Sequence, residues 1–416
     1  MHGNFHNYLQ LALLFINGFL ISRLFIRRGI AERAVAFFIR KSKGHISWIV
    51  IYLLFTSALI SMFIPNVITV LALLPLLEIL GKDFSLYDTP QKNLKSSLAM
   101  ANLYGANIGG TGSINGSPAH LMLLGFLALK AVPGYQQFNF VSWLGWGLPL
   151  VLVLTTCAAL ILVFLLIPRH LRRSNIDFLH FHSQRSHFPL QKPALILSIF
   201  SFLFWLLLST INLLIGPAAY LATTIVGILY LLLFLALLFF FPFSHTQNTL
   251  KEKLLAFKDC FNNLPAKGFI LIIITFSLSA LLLALEVDKL ITPLISFIIP
   301  AHPSLFWVTL LFCLATVFIS EFISNTATAI SFFIISLCVS QSTGLPALPM
   351  LLAISLVSTI PSMSPIASPV NAMAYGGVKG ISYKKMIIIG FIVDIIGAII
   401  ITLLTTFVIP WYYTVN

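Results

Sequence analysis

Apolar runs of about twenty residues recur along this 416-residue chain, and they restrict its fold more than any other feature. Hydrophobic residues make up 59% of the sequence and charged residues only 8%, against about a quarter in a soluble domain. Because so few charges cannot hydrate a water-exposed surface, most of the outside must contact lipid. The runs are continuous and rich in Leu, Ile and Phe rather than alternating. The sequence therefore predicts an all-α polytopic membrane protein.

Eight membrane crossings are expected, two of them interrupted by Gly, Pro, Ser and Asn. The uninterrupted crossings cover 9–26, 143–167, 194–214, 217–242, 267–286 and 385–410. The interrupted ones, 97–131 and 348–378, are predicted to be broken helices. Two further apolar stretches, 47–80 and 303–340, carry a polar interruption at mid-length. This pattern predicts re-entrant hairpins that enter and leave the membrane by one face.

The lysines and arginines orient the chain. With the N-terminus outside, 22 of the 24 fall on the cytoplasmic side, and only Lys130 and Lys289 lie outside. Cytoplasmic loops are enriched in Lys and Arg, so the net charge of +13 is an orientation signal rather than a sign of a nucleic-acid partner. The chain is predicted to lie in a cell inner membrane with both termini on the extracytoplasmic side. Its C-terminal end is predicted to carry an interfacial aromatic anchor, formed by Trp411, Tyr412 and Tyr413.

Residues 27–43 combine basic side chains with an apolar stripe. The stripe consists of Ile30, Ala34, Val35, Phe37 and Phe38. This composition favours a helix that lies along the cytoplasmic surface. The alternative is a cytoplasmic extension of the first crossing.

The second half of the chain repeats the layout of the first. The polar centres of the two hairpins, 61–69 and 320–328, align without gaps at an offset of 259 residues. The small-Ser-Pro breaks at 116–118 and 367–369 also match. Five crossings separate equivalent points, and an odd number gives the two copies opposite orientations. Inverted repeats with discontinuous helices predict a secondary transporter whose binding site lies at the breaks.

The breaks have a chemistry that suits an anion bound beside a cation. Helix N-termini offer partial positive charge and N–H groups to an anion. Exposed carbonyls and the oxygens of Ser, Thr and Asn are hard ligands, which suit Na⁺ by the logic that gives oxygen ligands to other hard cations. Small residues also occur in ordinary membrane helices for packing. Four matched breaks, two in each repeat, favour a binding site instead.

Four parts follow from this layout. The first repeat spans 1–168, with the surface helix, the first hairpin and the first broken helix. A cytoplasmic linker covers 169–193, and scaffold helices cover 194–260. The second inverted repeat spans 261–416, with the second hairpin and the second broken helix.

These motifs resemble those of the divalent anion:Na⁺ symporter family, part of the ion transporter superfamily. Ser324-Asn325-Thr326 looks like the family's hairpin-tip triplet. The stretches YGANIGGTGSINGSPAHLMLLGF and IPSMSPIASPVNAMAYGG look like its two broken-helix signatures. The resemblance covers about residues 9–410. It implies an elevator-type transporter, in which a domain carrying the hairpins moves past a fixed scaffold, and a homodimer formed through that scaffold.

The resemblance also implies the residues of the site. One sodium site would comprise Ser61, Asn66 and the Gly116 carbonyl. The other would comprise Ser320, Asn325 and the Ala367 carbonyl. The substrate would contact the tips and breaks, through Asn66, Ser117, Pro118, Asn325, Thr326, Ser368 and Pro369. No catalytic residue is implied.

The sequence departs from the family pattern in three places. The first tip reads Pro65-Asn66-Val67, so two hydroxyls are missing from one side of the site. His120 stands where the family has Asn, and a histidine can donate to an anion and introduce pH dependence. About three N-terminal crossings of the family have no counterpart, which bears on dimerisation.

Two acidic residues lie within predicted membrane segments, where such residues warrant a functional hypothesis. For Asp394, helix packing is favoured over proton coupling. For Glu321, cation attraction and a structural role at the mouth of the hairpin stay open.

The leading functional hypothesis is Na⁺-coupled symport of a small anion, such as a dicarboxylate, across the cell membrane. The alternatives are a cation/proton antiporter, an inorganic oxyanion transporter of the same superfamily, and a non-transporting relative. An enzyme is not expected, because the histidines of the loop 169–192 have no acidic motif beyond Asp177. The four cysteines also lack metal-binding spacing.

Overall fold

A computed structural model describes residues 2–86, 93–176, 190–245, 248–261 and 303–413, and these residues are mostly helical. Five helical stretches among them are long and apolar enough to cross a membrane, namely 140–166, 191–215, 220–239, 325–343 and 383–412. Four of these five coincide with predicted uninterrupted crossings. The predicted crossing 267–286 lies outside the described residues. These helices are those of a polytopic membrane protein.

The first half contains seven helices among the described residues. They are α1 (His2–Arg28), α2 (Ile30–Lys41), α3 (Ile46–Ser61), α4 (Asn66–Ser85), α5 (Asn93–Gly110), α6 (Pro118–Leu129) and α7 (Phe140–Ile161). A π-helical segment over 162–166 continues α7. The broken helix predicted at 97–131 corresponds to α5 and α6, which a short 3₁₀ turn at Ile114–Gly116 separates. The α6 helix has 12 residues and rises about 18 Å, too little to cross a core of ~30 Å alone.

The second half contains nine α-helices among the described residues. After α8 (Gln191–Ile215), α9 (Tyr220–Phe239) and α10 (Phe257–Phe261), the described chain resumes at residue 303. It then forms α11 (Leu305–Ser320), α12 (Asn325–Thr343), α13 (Ala347–Val357), α14 (Pro369–Gly377), α15 (Tyr383–Leu403) and α16 (Ile409–Tyr412). A π-helical segment over 404–408 follows α15, as one follows α7. The run from α11 to α15 thus has the layout of the run from α3 to α7.

Contacts between the helices repeat in the same way. The α5 helix packs on α3, α4 and α7, and α13 packs on their counterparts α11, α12 and α15. Across the two halves, α6 contacts α12 and α13, while α14 contacts α4 and α5. The C-terminal piece of each broken helix is therefore held by the other half of the chain.

Glycine permits the close contact between α3 and α5. Gly105 and Gly109 lie one turn apart on α5. A Cβ atom at Gly105 would stand 2.5 Å from the Leu54 carbonyl oxygen, and one at Gly109 would stand 2.2 Å from the Ala58 carbonyl oxygen. Small residues let membrane helices approach this closely. The approach brings the end of α5 to the turn between α3 and α4.

The α2 helix is separate from α1 rather than an extension of it. Gly29 between them adopts a left-handed conformation, with φ of 58°, which glycine tolerates without strain. Val35 and Ile39 are fully buried where α2 packs on α3 and α4. Phe37, predicted to belong to the apolar stripe, is 53% exposed. The location of α2 at the cytoplasmic surface stays a prediction.

The described residues also include a short β-ribbon, which the all-α prediction missed. Strand β1 (Pro242–His245) pairs antiparallel with β2 (Asn248–Lys253). The guanidinium of Arg28, which is buried, donates to the Leu254 carbonyl over 3.1 Å. This hydrogen bond fixes the ribbon to the end of α1.

Tyr413 departs from its predicted place in an interfacial anchor. Its side chain is fully buried, and its hydroxyl accepts from Trp146 Nε1 (3.0 Å) and donates to Ser142 Oγ (3.2 Å). Its ring stacks on Phe138 with centroids 4.3 Å apart. A polar hydroxyl with two partners inside the protein accounts for this burial. Trp411 is 88% exposed, and its interfacial role stays a prediction.

Candidate functional site

The end of α3, the start of α4 and the first break meet at one point. Ser61 ends α3 and Asn66 begins α4 across a four-residue turn. The Ser61 hydroxyl, fully buried, donates to the Ala106 carbonyl over 2.7 Å. The Gly116 carbonyl lies 2.9 Å from the side-chain amide of Asn66. The structure thus brings together the three residues predicted for the first sodium site.

Hydrogen bonding determines the orientation of the Asn66 amide. One terminal atom of the amide has three oxygen neighbours, at 2.9 Å (Ser61 Oγ), 2.9 Å (Gly116 O) and 3.3 Å (Ala106 O). A nitrogen at this position donates to these oxygens. An oxygen there would keep one hydrogen bond, from the Ser61 hydroxyl over 2.9 Å, and would face two carbonyls without a donor. Hydrogen bonding to protein groups alone thus favours a nitrogen at this position, whereas a cation among the same oxygens would favour an oxygen there.

Two glycines bring the backbone of the first break against this amide. A Cβ atom at Gly116 would stand 2.2 Å from the Gly110 carbonyl oxygen, and one at Gly110 would stand 2.5 Å from an Asn66 amide atom. The Ser113 hydroxyl also donates to the Met62 carbonyl. The first break is therefore packed directly on the first tip.

The second tip has the complete triplet and a different environment. Ser320 is fully buried, and its hydroxyl has no hydrogen-bond partner within the part of the chain that the structure describes. The same holds for the buried Oδ1 atom of Asn325. Thr326, next in the chain, is half-buried. The second tip thus presents side-chain oxygens that are not used in bonds to described protein groups.

Glu321 joins the second tip to the second break. Its carboxylate accepts the backbone N–H groups of Met363 (2.8 Å) and Ser364 (2.6 Å). The carboxylate of Asp394, fully buried on α15, accepts the N–H of Ser362 over 3.4 Å. These contacts favour a structural role for both acids, because each one fixes the backbone of the break.

Asn371 forms hydrogen bonds with other residues of the second break. Its Nδ2 donates to the carbonyls of Pro361 (3.0 Å) and Ser364 (2.8 Å), and its Oδ1 accepts from Ser368 Oγ (2.9 Å). Asn107 on α5 donates to the same Pro361 carbonyl over 3.0 Å. Asn107 therefore ties the second break to the first half of the chain. Asn107 is not among the site residues predicted from the sequence, although an amide in a helix of small and apolar residues is a usable signal.

His120 occupies the position of Asn371 in the first half but makes no comparable contacts. It is fully buried, and its ring stacks on Trp143 with centroids 4.8 Å apart. Neither ring nitrogen has a hydrogen-bond partner among the described residues. Trp143 Nε1 instead donates to the Thr111 carbonyl over 3.1 Å. The contacts of His120 are packing contacts, and its donation to an anion stays a prediction.

The predicted substrate residues share one structural property, since they lie at the starts of four helices. Asn66 and Asn325 begin α4 and α12. Ser117 and Ser368 cap α6 and α14, and each accepts a backbone N–H of the first turn. Pro118 and Pro369 take the first helical position after them, and Thr326 follows Asn325. Four helix N-termini carry partial positive charge, which is the electrostatic environment that an anion requires.

Comparison with known proteins identifies the family. A family model described as citrate transporter matches residues 6–252, more than half of the chain. The chain belongs to the citrate transporter family. It is 24% identical over 416 residues to the sodium-dependent dicarboxylate transporter SdcS of Staphylococcus aureus, which covers 96% of this chain and 76% of that protein. It is 25% identical over 365 residues to an uncharacterized transporter of Haemophilus influenzae, with 86% and 72% of the two chains covered.

A third relative, matched over a shorter part of the chain, is also named as a sodium-dependent dicarboxylate transporter. The sodium-dependent high-affinity dicarboxylate transporter 3 of Caenorhabditis elegans is 27% identical over 161 residues, 36% of this chain and 28% of that protein. These similarities confirm the resemblance to sodium-dependent anion transporters. Membership of the family makes the chain a multi-pass membrane transporter, and it implies transport rather than enzymatic catalysis.

Proposed function

We propose that the chain is a secondary active transporter that couples the entry of Na⁺ to the uptake of a small anion, such as a dicarboxylate, across the cell inner membrane. The observation that carries the proposal is the second tip, where Ser320 Oγ and Asn325 Oδ1 are buried without partners among the described residues. A buried polar atom without a partner costs about 1–3 kcal/mol. A cation bound by these oxygens and by the Ala367 carbonyl would remove that cost, and hard oxygen ligands suit Na⁺.

The anion is proposed to lie between the tips and breaks. All seven predicted substrate residues lie at the N-cap or in the first turn of a helix, so the partial charges there are positive. A cation beside them adds a full positive charge to the same site. The names of the relatives, sodium-dependent dicarboxylate transporters, support this pairing of ion and substrate class.

The two halves are proposed to be inverted repeats that move as an elevator. The reciprocal contacts of α6 and α14 with the opposite halves support a pseudo-two-fold relation. The helices α3 and α11 have 16 residues each and rise about 24 Å. Because this is less than the ~30 Å core, each is suited to a re-entrant hairpin. The helices α8 and α9 are proposed to belong to the scaffold, and a homodimer would form through it.

Thermal unfolding of the purified protein tests this function. Succinate, citrate and sulfate would each be added with and without Na⁺, because a ligand that binds only the native state raises its melting temperature. We expect a carboxylate anion to stabilise the protein only when Na⁺ is present, and Asn325→Ala to abolish the effect. Ser331→Ala, an exposed position on the same helix, is the matched control.

Other results would favour other functions. Stabilisation by the best anion without Na⁺ would count against sodium coupling. Sodium-independent stabilisation by sulfate alone would support the inorganic oxyanion transporter. A normal response of Asn325→Ala would show that the site is placed wrongly.

A further inference from the structure

The exposed face of α2 is basic, although the opposite face packs on the rest of the first half. Val35 and Ile39 are buried where α2 contacts α3 and α4. The residues of the other face follow one another at intervals of three or four positions, which places them on one side of the helix. These exposed residues are Arg33, Phe37, Arg40 and Lys41. The helix thus has a buried apolar face and an exposed face with three basic side chains and one aromatic ring.

Backbone hydrogen bonds join α2 to a second basic segment, the loop that follows α7. The Ile46 N–H donates to the Ser174 carbonyl over 3.2 Å, and the Ile176 N–H donates to the Gly44 carbonyl over 2.9 Å. Three more exposed basic residues lie on the joined segments, namely Lys43, Arg169 and Arg173. Together with the three basic residues of α2 they form one surface, the basic belt.

Few acidic residues offset the charge of the basic belt. The described stretches 29–48 and 162–176 contain seven lysines and arginines, and Glu32 is their one acid. Burial raises the pKa of Glu32 to about 7, so its carboxyl carries only part of a full negative charge at neutral pH. Asp177, the next acid in the sequence, lies outside the described residues. The belt is therefore a strongly positive surface.

Exposed aromatic rings lie beside the basic side chains. The Lys41 ammonium is 5.0 Å from the centroid of the Phe37 ring, and the Arg172 guanidinium is 5.1 Å from the centroid of the Phe164 ring. Phe37, Phe164 and Trp48 are each 50–57% exposed. Basic and aromatic side chains that occur together at the ends of apolar helices are typical of the boundary between lipid and water.

The helix next to the belt determines how far the belt lies from the lipid tails. Leu165 is exposed near the end of the apolar stretch 140–166, which is long enough to cross a membrane. Arg169 follows Leu165 by four residues, which span at most about 14 Å. The belt therefore begins where the hydrocarbon core ends and the headgroup layer begins. An acidic soluble protein or a free phosphate ion has no use for the exposed rings at this level, whereas a phospholipid contacts both the rings and the charges.

We propose that the basic belt binds the phosphates of anionic phospholipids, so that lipids such as phosphatidylglycerol collect around α2. Guanidinium and ammonium groups donate to phosphate oxygens, and the exposed rings enter the layer between headgroups and tails. Each Lys or Arg near an anionic membrane surface strengthens the attraction about five-fold. This lipid site is distinct from the tips and breaks, and it does not depend on sodium coupling.

Thermal unfolding of the full-length protein in mixed micelles tests the proposal. Phosphatidylglycerol and phosphatidylcholine are compared at equal mole fractions, because a lipid that binds only the native state raises the melting temperature. We expect phosphatidylglycerol to raise the melting temperature of the wild type more than phosphatidylcholine does. A KCl concentration of about 1 M should reduce this difference, because it shortens the screening length to about 3 Å.

Two variants that lose the same number of charges locate the lipid site. The first, Arg33→Gln/Arg40→Gln/Lys41→Gln, removes the basic residues of α2. The second, the matched control, removes three exposed lysines elsewhere and is Lys82→Gln/Lys258→Gln/Lys379→Gln. In the first variant, the mole fraction of phosphatidylglycerol that gives half of the stabilisation should rise about ten-fold or more. In the control it should stay at the wild-type value.

Several results would overturn the proposal. Equal stabilisation of the wild type by the two lipids would refute it without any substitution, so the test does not depend on the folding of a variant. An equal loss of stabilisation in both variants would show that the belt is not the site. Inorganic phosphate and polyglutamate are added in separate samples without lipid. Stabilisation by either one that the first variant loses would assign the belt to a free anion or to an acidic protein instead.

Discussion

Replacing Gly109 with alanine should separate α5 from α3 and disrupt the first tip. The new Cβ atom would stand 2.2 Å from the Ala58 carbonyl oxygen and 2.7 Å from its Cα, whereas ordinary contact begins at 3.4 Å. Both neighbours are backbone atoms, so no side chain can rotate away. The 2.2 Å distance is about 1.2 Å shorter than the 3.4 Å of ordinary contact. The two helices must therefore move apart locally by about that amount.

The consequence for the tip follows from its hydrogen bonds. The bond from Ser61 to the Ala106 carbonyl joins α3 to α5 at 2.7 Å, and a separation of that size would extend it to about 3.9 Å, beyond hydrogen-bonding range. Overpacking costs about 1–3 kcal/mol, and the lost hydrogen bond adds about 1 kcal/mol. We expect a melting temperature several degrees below that of the wild type, together with loss of anion binding.

Gly376→Ala is the matched control for this substitution. Gly376 lies in α14, and a Cβ atom there meets nothing within 4 Å. Alanine is also the better helix former by about 1 kcal/mol, so this variant should melt at or above the wild-type temperature. Thermal unfolding of the three proteins in the same detergent makes the comparison. Equal melting temperatures for Gly109→Ala and Gly376→Ala would refute the argument from close packing.

Three further substitutions test other parts of the structure. Glu321→Ala removes the acceptor of two backbone N–H groups and should cost about 3 kcal/mol or more in unfolding free energy, whereas Glu78→Ala, at an exposed position of α4, should cost little. Asp394→Asn keeps an acceptor oxygen for the Ser362 N–H, so we expect most anion uptake to persist, and its loss would indicate proton coupling instead. Burial raises the pKa of Glu32 from its usual 4.5 to about 7, so the stability that its neutral form contributes is complete below about pH 4.5 and is lost as the pH rises through 7. Glu32→Gln should therefore flatten the decline of melting temperature between pH 5 and pH 9, and an unchanged decline would contradict this assignment.

Much of the architecture could be predicted because lipid imposes a simple rule on the sequence. A helix in the membrane must satisfy its own backbone, so the apolar runs predicted the long helices, and the Ser-Pro pairs predicted where α6 and α14 begin. The tips were visible because polar residues interrupt apolar runs at matched offsets. These signals are local, and local signals are readable in a single sequence.

The partners within the site could not be predicted in the same way. The Ala106 carbonyl bonds with Ser61 only because two glycines allow α5 to approach α3. Asn107 reaches the second break from the first half, across more than 250 positions of sequence. Tyr413 was predicted at the interface from its residue type, but tertiary contacts bury it. Such contacts depend on how helices pack, which a single sequence does not specify.

The asymmetry of the tips was visible in the sequence, but its meaning was not. Pro65 and Val67 showed that two hydroxyls are missing. They did not show that Ser61 Oγ and the carbonyls of Gly116 and Ala106 all lie within 3.3 Å of one atom of the Asn66 side-chain amide.

Uptake of a radiolabelled dicarboxylate into proteoliposomes under an inward Na⁺ gradient tests the central claim most directly. The proposed function predicts accumulation that requires external Na⁺, that stops when K⁺ replaces Na⁺, and that Asn325→Ala abolishes while Ser331→Ala preserves it. Equal uptake with Na⁺ and with K⁺, or normal uptake by Asn325→Ala, would contradict sodium-coupled transport at the second tip.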